Sequence, residues 1–199
     1  MPTIPWSTPV SAESVDPKVD TTALRARIGW LCHLTRVAAA GWAAWLLVVQ
    51  VWTWSDPAKI ANDLGHYMNA DLGAINGSEA ALAFGASIVA WIAAAAVAYC
   101  IWRLFGAYLS GRTFSAEAAA WMQRIGVAGL IAVLVSIVVR RINWLILTSH
   151  ADLALSARMF TQFVVPIDLL QVLFCLFVLA IGRVFKTAVQ IADDNASIV

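Results

Sequence analysis

A chain of 199 residues that is 61% hydrophobic and only 13% charged is too apolar for a soluble domain, where about half the residues are apolar and a quarter charged. Its formal net charge of +1 leaves no basic footprint for direct nucleic-acid binding. Several uncharged runs approach the roughly 20 residues needed to cross hydrocarbon, so the chain reads as one all-α, polytopic membrane protein.

Met1–Asp20 is rich in Pro, Ser, Thr, Val and acids without a period, and reads as a disordered cytoplasmic tail. The first apolar run starts too late, and lacks the small-residue cleavage pattern, for a removable signal. The remainder, 21–199, reads as a four-helix membrane domain with spans at about 37–54, 80–102, 125–147 and 160–184. Arg25, Arg27 and Arg36 hold the start of the first helix at the inner interface. The small-residue runs Ala38–Ala44 and Ala93–Ala96 let helix backbones approach closely.

Between the first two spans lies an acidic loop, Ser55–Ser78, with Asp56, Asp63 and Asp71 against Lys59. Asp56-Pro57 is a helix start, and Ile60, Leu64, Met68, Leu72 and Ile75 recur at helical spacing. This pattern predicts a short amphipathic helix lying over the extracytoplasmic end of the bundle.

Between the second and third spans, Gly106 and Gly111 loosen the backbone, and Thr113 or Ser115 can cap the next helix with Glu117 in its first turn. Arg103, Arg112 and Arg124 surround this turn. With Lys18, Arg25, Arg27, Arg36, Arg183 and Lys186 they outweigh Lys59, Arg140, Arg141 and Arg158 on the other side. Such an asymmetry predicts that the turn and both termini are cytoplasmic, in a cell inner membrane. Tryptophans fall at both interfaces, while Trp42, Trp45 and Trp91 lie deeper, as expected of packing residues.

Arg140-Arg141 interrupts the third span and Asp168 the fourth, and a charge in hydrocarbon costs several kcal/mol. Arg124 to Arg140 is about 24 Å of helix, Arg183 to Asp168 about 22 Å, and Arg36 to Gln50 about 21 Å. Polar groups from three helices thus reach one level. Ser136, Arg140 and Asn143 share a stripe of the third helix, and Asp168, Gln171 and Cys175 share one of the fourth. Arg140 is therefore expected to pair with Asp168, with Gln50 and Gln171 adding hydrogen bonds, while Arg141 snorkels to lipid phosphates. The layer is either a lock on helix pairing or a polar pocket for a small ligand, ion or proton. A single matched pair leaves no spare charge for transport, which favours the lock.

No cofactor is expected. His33 lies near one end and His66 and His150 near the other, so no bundle haem site forms. His66, His150, Asp63, Asp71 and Asp152 have no metal-ligand spacing and read as solvated loop residues. Cys32, Cys100 and Cys175 are isolated packing residues. There is no phosphate loop, no H-E-x-x-H, no G-x-S-x-G and no catalytic constellation, so an enzyme is not expected.

The turn Ser110-Gly111-Arg112-Thr113-Phe114-Ser115, the following Arg124-Ile125-Gly126, and the tail from Val184-Phe185 through Asp193-Asp194-Asn195 to Val199 resemble a bacterial membrane family, domain of unknown function 2975. The resemblance covers nearly the whole chain from Ile28. The tail departs from the family pattern at Ser197, where an apolar residue is usual, and at Asp193-Asp194, where glutamates are usual. The family resemblance implies a cytoplasmic protein partner, because members are often encoded beside a small helix-turn-helix regulator. Its motif residues, Gly111, Phe114, Arg124, Gly126, Phe185, Asp194 and Asn195, all fall on the side read as cytoplasmic. The expected function is a non-enzymatic integral membrane protein that binds such a partner. The alternative is a small-molecule or ion transporter or channel component using the Arg140/Asp168 layer.

Overall fold

The computed structural model describes residues 21–68, 75–111, 115–149 and 165–196. Among them are five helices: α1 (Thr21–Trp54), α2 (Pro57–Met68), α3 (Gly77–Leu109), α4 (Ala116–Leu147) and α5 (Pro166–Ala196). The stretches Gly29–Trp54, Gly77–Leu109, Ala116–Leu147 and Pro166–Ile191 are long and apolar enough to cross a membrane. The chain is thus an all-α, multi-pass membrane protein.

The helix starts follow local chemistry. The Oδ1 of Asp56 accepts from the backbone N–H of Ala58 and of Lys59, both at 3.2 Å, ahead of Pro57. The backbone N–H of Asn76 donates to Glu79 Oε2 at 3.3 Å, closing the start of α3. Ser115 Oγ accepts from Ala118 N–H at 3.2 Å and begins α4. Gly111 has φ 83°, the left-handed conformation that lets the chain turn after α3 and that any side chain would strain. The helix α5 starts at Pro166, which takes the first helical position, and Asp168 reaches back to cap it; residues 160–164 of the expected span lie outside the described residues.

Each long helix packs on the next in this order: α1 on α3, α3 on α4, α4 on α5. The bundle is a row, and α1 and α5 close no comparable seam. The helix α2 makes its main contact with α1. The core is built from small residues, among them Ala80, Ala83, Ala98, Ala107, Ala118 and Ala119. The closest approach is between α4 and α5. A Cβ added at Gly126 would lie 2.8–2.9 Å from Leu179 Cβ, Cα and N, and one at Gly129 would lie 2.6 Å from Cys175 Sγ. From the other side, a Cβ at Gly182 would lie 3.0 Å from the backbone N and Cγ of Gln123. Only glycine permits this seam.

At one end of the row the structure corrects two expectations. Trp42 and Trp45 are not packing residues but are 49% and 65% exposed, because α1 meets one long neighbour and buries only one stripe. For the same reason Ala38, Ala40 and Ala44 of the first small-residue run are exposed.

Candidate functional site

Arg140 stands near the end of α4 and Asp168 in the first turn of α5. The two guanidinium nitrogens of Arg140 donate to the two carboxylate oxygens of Asp168 at 3.0 and 2.9 Å. This fork-to-fork geometry is the strongest form of such a contact. Asp168 also accepts from Val165 N–H at 3.0 Å, and so caps its own helix. Its side chain is only 2% exposed, against 36% for Arg140. The carboxylate is therefore wholly enclosed, while the arginine stem lies along the protein with part of its surface open. Arg141, next along α4, is half-exposed.

Gln50 and Gln171 do not join this pair. Among the described residues neither carboxamide hydrogen-bonds to Arg140 or Asp168; both line a cavity instead. The reason is geometric and chemical: α1 does not close against α5, and the Asp168 oxygens already hold three donors. Asn143 also leaves the stripe. Its Nδ2 donates to Ser87 Oγ on α3 at 2.8 Å, and its Oδ1 is buried without a hydrogen-bond partner. Thus Arg140 ties α4 to α5, and Asn143 ties α4 to α3. Ser87 carried no sequence signal, being one serine in an alanine-rich helix.

The cavity has a volume of about 730 Å³ and is walled by all four long helices. Trp42, Leu46, Val49 and Gln50 come from α1, and Leu170, Gln171, Phe174 and Cys175 from α5. Ser87 and Trp91 of α3 and Ser136 of α4 also face it. The indole Nε1 of Trp91 donates to the Ala43 carbonyl at 2.9 Å, which ties α3 to α1.

The family-motif residues at the other end do not form one site. Gly126 belongs to the α4–α5 seam. Arg124 stacks on the Trp121 ring at 4.4 Å, and Arg103 approaches the same ring at 5.0 Å. Tyr99 meets Trp121 edge-on at 6.3 Å. Arg36 of α1 lies 4.1 Å over Trp102 of α3, with its Nε buried and without a hydrogen-bond partner. Gly111 makes the turn; Phe114, with Arg112 and Thr113, lies outside the described residues. Phe185 is half-buried and Asp194 exposed; Asn195 lies within α5, its side chain outside the described residues. Phe185, Ala188 and Ile191 do not pack on the bundle as one face. Ala188 and Ile191 are exposed, and Gly182 and Val189 are buried on either side of Phe185. The α4–α5 seam sets that face, and it continues from Gly182 at i, i+3 and i+7. The tail residues 1–20, and Asp71, Leu72, His150, Asp152, Arg158 and Ser197, lie outside the described residues.

Residues 53–199 match the family model described as protein of unknown function (DUF2975). The chain belongs to that family. The match begins in the last turn of α1 rather than at Ile28, and takes in α2 to α5 with the ion pair, the glycine seam and the Asn143–Ser87 bond. Comparison with curated proteins and with solved structures finds no match. This DUF2975 member is an integral membrane protein, and its family description carries no activity.

Proposed function

We propose that this DUF2975 protein is a non-enzymatic protein of a bacterial inner membrane that binds a cytoplasmic protein partner through the α3–α4 turn and the last turns of α5. One observation carries the reading. The helix α5 runs unbroken to Ala196, past Val189, the last buried side chain among the described residues, with Ile191 57% exposed. A helix that continues beyond its own packing offers an apolar strip to a partner groove. The excess of Lys and Arg at this end supports a cytoplasmic location for it and for both termini. The Arg–Trp stacks there suit a membrane–water interface.

A transport role for the polar layer has less support. Ion or proton movement needs a group that can change partners, and Asp168 is enclosed with a matched arginine and a backbone donor. The partner favoured by the family resemblance is a small helix-turn-helix regulator of the kind often encoded beside family members. Co-purification of that protein with the tagged full chain in detergent tests the reading. Truncation after Lys186 should leave membrane insertion intact and abolish co-purification. Equal recovery by the truncated chain refutes the role of the tail.

A further inference from the structure

The cavity between the helices is graded in polarity. Gln50 is four residues from the end of α1 and Gln171 five from the start of α5, so both lie within about 8 Å of a helix end. Ser87 and Ser136 come ten and eleven residues in from the ends of α3 and α4, about 15–17 Å. Deeper still, Ala94, Val97 and Gly129 bring no polar side-chain group, and Trp91 has its N–H committed to Ala43. Among the described residues no Asp, Glu, Lys or Arg lines the cavity. The ion pair that stands at the same level is closed on itself.

Gln50 and Gln171 have no hydrogen-bond partner among the described residues. A carboxamide facing an apolar cavity in a membrane is costly unless something bonds to it. The volume is that of a small-molecule site, which typically holds a mostly apolar ligand with a few fixed polar groups. Among the described residues α1 and α5 form no comparable seam, and Trp42, Leu170 and Phe174 on that side of the cavity are exposed.

We propose that this cavity binds an uncharged lipid-like amphiphile that enters from the bilayer between α1 and α5. Its hydroxyl or carbonyl head bonds to Gln50 and Gln171, and its hydrocarbon tail lies along Trp42, Leu46, Leu170 and Phe174. A phosphate or carboxylate head would be desolvated against described walls that hold no countercharge, so the head is neutral. This site is independent of any partner at the far end of the bundle.

Photolabelling of the full chain in dioleoylphosphatidylcholine nanodiscs tests the proposal. The probe is hexadecanol with a mid-chain diazirine, and the adducts are mapped by peptide mass spectrometry. Labelling should saturate, yield to unlabelled hexadecanol, and fall on the peptides of Trp42, Leu46, Leu170 and Phe174. Ala94→Trp, which fills the cavity, should abolish it. The pair Gln50→Leu/Gln171→Leu should weaken it about tenfold, the equivalent of two modest hydrogen bonds. That pair should not lower detergent stability, because each carboxamide it removes has no partner among the described residues. Diazirine-bearing hexadecanoate and hexadecyl phosphate should label at least about tenfold less. Three results would overturn the proposal. One is labelling spread over the outward Leu82, Ile131 and Leu173 and indifferent to either variant, which is bulk lipid contact. Another is equal labelling by the charged probes. The third is cross-linking of two copies through the cavity residues in place of probe adducts, which makes a second copy the occupant.

Discussion

Arg140 and Asp168 are unequal members of one pair, and their removal should cost unequal amounts. Arg140→Gln leaves a carboxylate that is 2% exposed and set in the first turn of a helix, from which it cannot turn outward. Breaking a buried pair in this way costs about 3–5 kcal/mol in soluble proteins. The Val165 N–H and the positive end of α5 still serve the carboxylate, so the lower figure, about 3 kcal/mol, applies here. Asp168→Asn leaves the longer and more exposed partner, which can swing toward the headgroups, and the new amide keeps a carbonyl for Val165 N–H. That loss should be about 1–2 kcal/mol. In the double variant two amides face each other without a buried charge, and the total should fall short of the sum by at least about 1 kcal/mol. Reversible unfolding in mixed micelles reads all four proteins. Losses that add within about 0.5 kcal/mol, or a larger loss for Asp168→Asn than for Arg140→Gln, would refute the reasoning.

The glycine seam should separate two glycines only twenty residues apart. Gly126→Ala, which meets the backbone of Leu179, should lose about 1–3 kcal/mol, whereas Gly106→Ala, with nothing within 4 Å, should gain about 0.5–1 kcal/mol; equal effects in the same unfolding assay contradict the close approach of α4 and α5. In a background without Cys32, Cys100 and Cys175, Ser78→Cys should react with an impermeant thiol reagent added outside whole cells and Ser110→Cys should not, and the reverse pattern would invert the proposed orientation. Trp91→Phe removes the bond to Ala43 and should cost about 1 kcal/mol, with spin-label distances widening between α1 and α3 but not between α4 and α5; unchanged α1–α3 distances would show that other contacts hold α1.

The spans were legible because twenty-residue hydropathy needs no tertiary information. The ion pair was legible for a related reason. A charge at membrane depth is costly, so Arg140 and Asp168 had to have partners, and the arginines near the other end served as rulers of depth. Depth is not direction, however. Gln50 and Gln171 share the level of the pair, yet their carboxamides line the cavity, because the sequence does not say whether the first and last helices of a four-span chain meet. The start of α5 was written in Pro166 and Asp168, a proline at the first position and an acid two residues on. Gly126 was visible as part of a motif near the turn. Its place in the α4–α5 seam depended on Leu179, Cys175 and Gly182, residues more than forty positions away that carry no mark of their own.

Helices in a bilayer are not driven together by water, so what holds each one must be read from contacts. The three long helices of the family match are joined by specific devices: the Asn143–Ser87 bond between α3 and α4, and the Arg140–Asp168 pair with the glycine seam between α4 and α5. The attachment of α1 is of another kind. An indole bonded to a carbonyl and an arginine stacked on Trp102 hold it to α3, while Gly29 and Gly41 meet nothing within 4 Å. The cavity therefore follows from the order of the row rather than from any one small side chain. Three walls belong to a tightly joined unit, the fourth is the helix held by fewest devices, and the two carboxamides sit on the two long helices that form no comparable seam among the described residues. Gln50 and Gln171, from the two ends of the row, both line the space between its outer helices.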